Sequence, residues 1–516
     1  MANANLFSTL AAKVFTRTDA FNEAGGAAYS YGPEAKLAQL AATGTLSDGF
    51  YSCAETQLSD VLDAAQAVSP EFVAKAAIYS RQSGAMKDMP ALLAAYLTVS
   101  DPDLSVPVFK QVIDNGRMLR NFVQIMRSGQ IGRKSLGSRP KRLVREWLEN
   151  ASMRSLMAAS TGSDPSLADI VKMVHPSPKS AERRAFYGWL IGKPYDVCAL
   201  PDQIAEYEAW KQDRSRPLPE VPFQWLTSQE LTTKQWVKIA EKMGWQALRM
   251  NLNTLARKGV FGVKGATEMV AARLADVEVL VKVKPAPYQL MVALDRVGEG
   301  VPLTVQAALE QALELSLANV PALQGNVIVC PDVSGSMTWS ATGYRKGATS
   351  KVRCIDIAAL ISAAMLRTNA KAKVMPFDTL VVPLKLDSNA RVAVNAAKLA
   401  AIGGGGTTVS APLAKLNRDG AKVDTVVIIS DNESWIDRGR RGATATMNEW
   451  TKLKSRNPAA KLICIDIQPY GTTQAKDNRK DIMNVGGFTD AVFDAMARFA
   501  NDEARDWVEI VNEVEI

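Results

Sequence analysis

Apolar positions recur at helical spacing through the first 320 residues and in strand-length runs after that. Ser69 and Pro70 form an N-cap followed by a first-turn proline. Phe72, Ala76 and Tyr79, with Val73 and Ala77 beside them, then make one apolar face, which Gly84 ends. Asp88 and Pro90 bracket the next start, where Leu92, Leu93, Tyr96 and Leu97 supply the face. Helices of roughly ten to fifteen residues joined by short turns recur without alternating strands, the pattern of stacked helix pairs in an α-solenoid, although no fixed period repeats. Pro321 and Gly325 mark the change. Beyond them strands are expected at 326–331, 372–377, 380–386, 424–430 and 461–467, and helices at about 352–368, 388–400, 410–417, 442–455 and 489–500. Strands alternating with helices predict a mostly parallel sheet covered on both faces. Three segments are therefore expected: a helical array over 1–322, an α/β domain over 323–500, and an acidic, apolar segment over 501–516. Trp507, Ile510 and Val511 in the last could dock back on the first.

Candidate chemistry collects at the ends of the expected strands. Asn326-Val327-Ile328-Val329-Cys330 is rich in β-branched residues and leads into Pro331-Asp332-Val333-Ser334-Gly335-Ser336-Met337. Asp332, Ser334 and Ser336 alternate along a turn, so one carboxylate and two hydroxyls can converge on one point. Such a hard-oxygen site suits Mg²⁺ or Mn²⁺ better than zinc. Gly403-Gly404-Gly405-Gly406-Thr407-Thr408 offers a flexible loop ending in hydroxyls, and Val426-Val427-Ile428-Ile429-Ser430-Asp431 is another buried strand ending in an acid. In an open parallel sheet ligands bind beyond the carboxyl ends of the strands, where both acids lie.

Asp-x-Ser-x-Ser, then Thr, then Asp resembles the metal-ion-dependent adhesion site of von Willebrand factor A domains, which are Rossmann-like. The resemblance implies direct ligation by Ser334, Ser336 and Thr407, with Asp332 and Asp431 acting largely through water. Thr408 replaces Thr407 if the loop register differs by one. The plain alternative is a capped strand-to-helix turn without a metal.

Composition narrows the chemistry further. With 47% apolar and 22% charged residues in 516, the chain reads as an ordinary soluble globular protein. Its five cysteines (Cys53, Cys198, Cys330, Cys354 and Cys464) are scattered and odd in number, as expected for reduced thiols in a cytoplasmic protein. Met1-Ala2-Asn3-Ala4-Asn5-Leu6 shows no secretion signal, and no apolar run approaches a membrane span. The single histidine, His175, ends the helical run Leu167 to Val174 and reads as a helix-terminal hydrogen-bonding residue. Most histidine-dependent mechanisms, and a histidine-bound zinc, are thereby removed.

Net charge is +8, and its distribution matters more than its total. Between Gly116 and Arg145 lie nine basic residues and no acidic one: Arg117, Arg120, Arg127, Arg133, Lys134, Arg139, Lys141, Arg142 and Arg145. The rest of the chain sums to −1. This is the footprint expected for a polyanion partner, and equally that of a solvated helical face whose acidic partners lie elsewhere in the fold. Lys234, Lys238, Lys242, Arg249, Arg257 and Lys258 form a second basic set interleaved with Trp225, Trp236 and Trp245. Those tryptophans read as core anchors, with base stacking as the alternative. Arg214 to Pro222 is proline-rich and reads as a surface loop.

The helical half carries a resemblance of its own. Asn22-Glu23-Ala24-Gly25-Gly26, Ser69 to Leu97, and Met243-Gly244-Trp245-Gln246-Ala247-Leu248-Arg249-Met250-Asn251-Leu252-Asn253 look like the TROVE module. Joined to the A domain carrying Asp332 to Met337, the whole chain closely resembles the Ro autoantigen family, in particular its bacterial members. That likeness implies a ring of HEAT-like helical repeats closed by the A domain. It further implies Y RNA on the outer face, entry of misfolded or single-stranded RNA ends, and association with the exoribonuclease polynucleotide phosphorylase. The Arg117 to Arg145 run looks like the basic region that members carry. Ser160 to Leu167 departs from the basic segment of animal members, so contacts made there do not transfer.

The leading expectation is a non-catalytic RNA-binding scaffold, with no membrane association. An alternative is an assembly module whose metal site grips an acidic side chain of a protein partner. A metal-dependent phosphatase or nuclease is disfavoured, because no Asp-x-Asp pair and no phosphate-binding lysine accompany Asp332.

Overall fold

The computed structural model describes all residues except 1–16, 44–45, 47–52, 163, 286, 318–319, 321, 343–351, 436–442, 469 and 478. Met1 to Leu6, Ser163, Pro321 and the first residue of the helix expected at 442–455 lie outside the described residues. The chain falls into two compact units: one of 90–275 and 297–308, the other of segments within 1–89, 276–296 and 309–515.

The first unit is helical. In helix Gly116–Ser128 the Asn115 carboxamide caps the start by accepting from the Arg117 and Met118 amides, and Gly129, at φ 91°, ends it. Met118, Leu119, Phe122, Val123 and Met126, three and four residues apart, are its buried face. Helix Ser138–Asn150 likewise buries Pro140, Leu143, Val144 and Leu148. The arginines and lysines of both helices fall on the other side because the apolar stripe claims the core. Trp236 and Trp245 are buried, the latter donating its indole N–H to the Leu274 carbonyl, and Trp225 packs on Trp189 and Tyr207. All three serve the core, as expected.

The second unit is built on a parallel sheet. Its strands are numbered after a hairpin, β1 (Ala20–Phe21) and β2 (Ala27–Ser30). They continue as β3 (Val327–Pro331), β4 (Lys373–Val374), β5 (Thr425–Ser430), β6 (Lys461–Asp466), β7 (Thr472–Thr473) and β8 (Ile482–Gly486). The main sheet runs β8-β6-β5-β3-β4, all parallel, while β1-β2-β7 form a small antiparallel sheet. One face of the main sheet packs on Leu413, Leu416, Met447, Trp450 and Leu453. The other carries helix Cys354–Thr368, buried almost all round beneath helix Val392–Ala400. All five cysteines are free, and Cys330, Cys354 and Cys464 are buried. Among the described residues no helix is long and apolar enough to cross a membrane.

Two expectations need correction. No strand forms over 380–386: after Phe377, which bridges to Asp332 and Val381, the chain is irregular, and Pro383 supplies no amide hydrogen for a ladder. The helical reading of the N-terminal half missed the β1–β2 hairpin, whose signal was the Gly25-Gly26 pair. Strand β8 was also missed, because Asn484 and Gly486-Gly487 break its apolar run.

Helix Pro70–Gln82 starts as read, the Ser69 hydroxyl accepting from the Phe72 amide at 3.2 Å. Helix Trp507–Asn512 packs against it. The buried Trp507 indole donates to the Tyr79 hydroxyl at 3.1 Å, the two rings meeting edge to face at 6.0 Å. Burial pushes the Tyr79 phenol up to about 12. Trp507→Phe keeps an aromatic ring but removes that donor and leaves space, so urea unfolding of this unit should show a loss of about 2 kcal/mol. An unchanged midpoint would mean that the terminal helix contributes nothing.

Candidate metal centre and nucleic-acid interface

Sheet order places the acids. Strand β3 has β4 on one side and β5 on the other, so the chain reverses direction across the sheet at β3, where open α/β sheets hold ligands. Pro331 pairs with Ile429 and Ser430 with Asp466, so Asp332, Asp431 and Asp466 lie together at the carboxyl ends of three adjacent strands. Asp332 is completely buried: one carboxylate oxygen accepts from the Ser334 amide at 2.8 Å, the other from the Ser430 hydroxyl at 2.6 Å. That hydroxyl also accepts from the Asn432 amide at 3.0 Å. Asp332 therefore sits behind the turn and orients it, while the Ser334 and Ser336 hydroxyls face each other at 3.3 Å. Adjacent ligands of an octahedral Mg²⁺ stand about 3 Å apart, so this pair fits one edge of the shell.

Thr407 is buried on the glycine loop, and its carbonyl accepts from the Trp435 amide and the Ser434 hydroxyl. The Gly335 amide donates to the Gly405 carbonyl at 3.2 Å, bringing this loop to the Ser334–Ser336 turn. Thr408 Oγ1 is buried without a hydrogen-bond partner, which keeps the one-residue alternative on this loop physically reasonable.

Four buried acids crowd this end of the sheet. Burial, then the neighbouring Asp431, pushes Asp332 up to about 7; Glu433 rises to about 9 for the same two reasons. Burial raises Asp466 to about 8, with Asp431 adding to the effect, and burial likewise raises Asp431, against hydrogen bonds that favour its charged form. Among the described residues no lysine or arginine forms an ion pair with any of them. Asn432 Oδ1, Glu433 Oε1 and Asp466 Oδ1 are acceptors without donors. A bound divalent cation would supply the positive charge this cluster lacks. Sequence reading singled out Asp332 and Asp431 but missed Asp466 and Glu433; the mark for Asp466 was an acid ending an otherwise apolar strand. Among the described residues no three His, Cys, Asp or Glu side chains converge as a metal cluster, so a metal held here would need hydroxyl donors.

The nine basic residues separate into distinct roles. The Arg120 guanidinium donates to the Ala159 carbonyl at 2.7 Å and lies over Gly162, where a Cβ would clash with it. Burial, then Arg117, lowers its pKa. Arg145 donates to the Val174 carbonyl at 2.5 Å, and Arg139 pairs with Asp103 at 3.0 Å. These three tie helices together. Arg127, Lys134 and Arg142 are exposed and Arg117, Arg133 and Lys141 half-buried; none of these six makes an ion pair among the described residues. His175 caps helix Leu167–Val174 in a left-handed conformation at φ 50°, its amide bonded to the Val171 carbonyl.

Comparison with known proteins follows the same lines. Residues 326–500 match the family described as the Ro60 vWA domain. The chain is 25% identical to the RNA-binding protein RO60 of Deinococcus radiodurans, the match covering 93% of this chain and 95% of that protein. In structure it is similar to the crystal structure of the Deinococcus radiodurans RO (RSR) protein, with a TM-score of 0.62 and 21% identity, covering 92% of this chain and all of that one. The structural likeness extends the shared fold beyond the A domain to the helix-rich segments.

Proposed function

We propose, from the match of residues 326–500 to the Ro60 vWA domain family and the likeness of the whole chain to a Ro protein, that the protein is a non-catalytic RNA-binding scaffold. It holds small structured non-coding RNAs of the Y type, accepts misfolded or single-stranded RNA ends, and delivers them in the cytoplasm to an exoribonuclease of the polynucleotide phosphorylase type. The observation supporting this reading is the exposed cationic surface of Arg127, Lys134 and Arg142 within a stretch free of acids. Contacts of that kind grip phosphates and confer affinity without reading sequence. Ser334, Ser336 and Thr407 would hold Mg²⁺ or Mn²⁺, with Asp332 and Asp431 behind water. The bound ion would supply an open coordination position for an acidic oxygen.

A specific feature favours a second role for that position. Exposed Trp339 follows Ser336 by three residues, the amide of exposed Trp435 donates to the Thr407 carbonyl, and exposed Leu380 follows Thr379, whose hydroxyl accepts from the Gly406 amide. An apolar rim around a metal suits a protein partner that presents a carboxylate among apolar side chains.

RNA recovered from the native protein and sequenced at two salt concentrations tests the main reading. An intact, abundant, small structured RNA that is lost at high salt is expected. Protein free of nucleic acid, or RNA cleaved when Mg²⁺ is added, would sink it.

A further inference from the structure

The loop that carries Asp431 does not stand alone. Asn432 turns the loop through a left-handed backbone at φ 61°, which asparagine tolerates better than most residues, and contacts from outside the loop hold its next two residues. Those contacts come from the turn between β1 and β2, some four hundred residues away in the chain. The Asn22 side-chain amide donates to the Ser434 carbonyl at 2.8 Å across 412 positions, and its oxygen accepts from the Gly26 amide at 2.6 Å, closing the turn on itself. The Ala24 amide donates to Glu433 Oε2 at 3.1 Å. Gly26 lies so close that a Cβ there would stand 2.0 Å from the Ser434 carbonyl oxygen, backbone that cannot swing aside. Asn22, Glu433 and Ser434 are all buried.

Ser434 is the hub. Its carbonyl is held by Asn22, while its hydroxyl donates to the Thr407 carbonyl at 3.4 Å and accepts from the Val409 amide at 3.2 Å. One residue therefore joins the Asp431 loop to the Thr407 loop, and the N-terminal turn fixes that residue. We infer that Asn22 and Gly26 are positioning residues of the metal centre, the turn Asn22–Gly26 setting the distance between the Asp431 and Thr407 sides of the site. By reciprocity, an ion in the centre stabilises this turn and the hairpin that carries it. The inference rests on the reading of Ser334, Ser336 and Thr407 as metal ligands.

Mn²⁺ titration of the full-length chain, following the electron paramagnetic resonance signal of the free ion, tests it. Gly26→Ala forces the turn off Ser434, and Asn22→Ala removes the grip without adding bulk, so Asn22→Ala carries the test if Gly26→Ala fails to fold. Each folded variant should bind Mn²⁺ at least tenfold more weakly than the wild type. Amide exchange at Ala24 and Gly26 should slow when Mn²⁺ is added to the wild type and stay unchanged in Asn22→Ala. Variants that lose thermal stability in chelator but bind Mn²⁺ as the wild type does would reduce the turn to a structural contact and overturn the inference. A wild type that binds no Mn²⁺ would overturn the metal reading itself, and the inference with it.

Discussion

Changing Arg127, Lys134 and Arg142 together to alanine should weaken binding of a small structured RNA roughly a hundredfold at about 0.1 M salt. The dependence of log affinity on log salt should flatten by about two to three, since each lost phosphate contact removes close to one released counterion. These three are chosen because they are exposed and make no ion pair among the described residues. Arg120, Arg139 and Arg145 belong to a different experiment. Removing Arg120 leaves the Ala159 carbonyl without its donor, so weaker RNA binding in that variant would report a disturbed fold. Filter binding across a salt series, with circular dichroism as a folding control, separates the two. Affinity and slope unchanged in the triple variant would move the RNA to another surface.

The second large effect is expected at Asp332. Asp332→Asn preserves shape: its oxygen can accept from the Ser334 amide, while its NH₂ donates to a Ser430 hydroxyl turned to accept. It also removes one charge from a buried acidic cluster that has no basic counterpart. The chelated variant should therefore melt no lower than the chelated wild type. The response to metal should differ sharply. At a Mg²⁺ concentration about a hundred times its dissociation constant, the wild type should gain about 2.7 kcal/mol, whereas Asp332→Asn should gain little or nothing. Thermal melts with and without Mg²⁺ read both halves. A variant that responds to Mg²⁺ as the wild type does would remove Asp332 from the centre.

Much of this protein follows from local chemistry. Strands β3, β5 and β6 were legible because a strand buried on both faces needs an unbroken apolar run, and the acids that close them mark the end of the sheet at which open α/β folds hold ligands. The start of helix Pro70–Gln82 was legible because Ser69 and Pro70 act on the next few residues only. Short-range signals failed where polar or glycine residues sit inside a strand, as in β8, or where an apolar run meets a proline, as at Pro383.

What only the tertiary structure decided is partnership between residues far apart in sequence. The run from Arg117 to Arg145 reads as nine equivalent charges until Ala159, Val174 and Asp103 claim three of them. Asn22 to Gly26 carried a family likeness but no place in the molecule until Ser434 met it across 412 positions. Glu433 went unremarked in the sequence, yet it is fully buried and takes a hydrogen bond from the Ala24 amide. The physical reason is the same in each case. Periodicity and capping act within a turn or two of the chain, whereas burial and the pairing of polar groups depend on which distant backbone folding brings alongside.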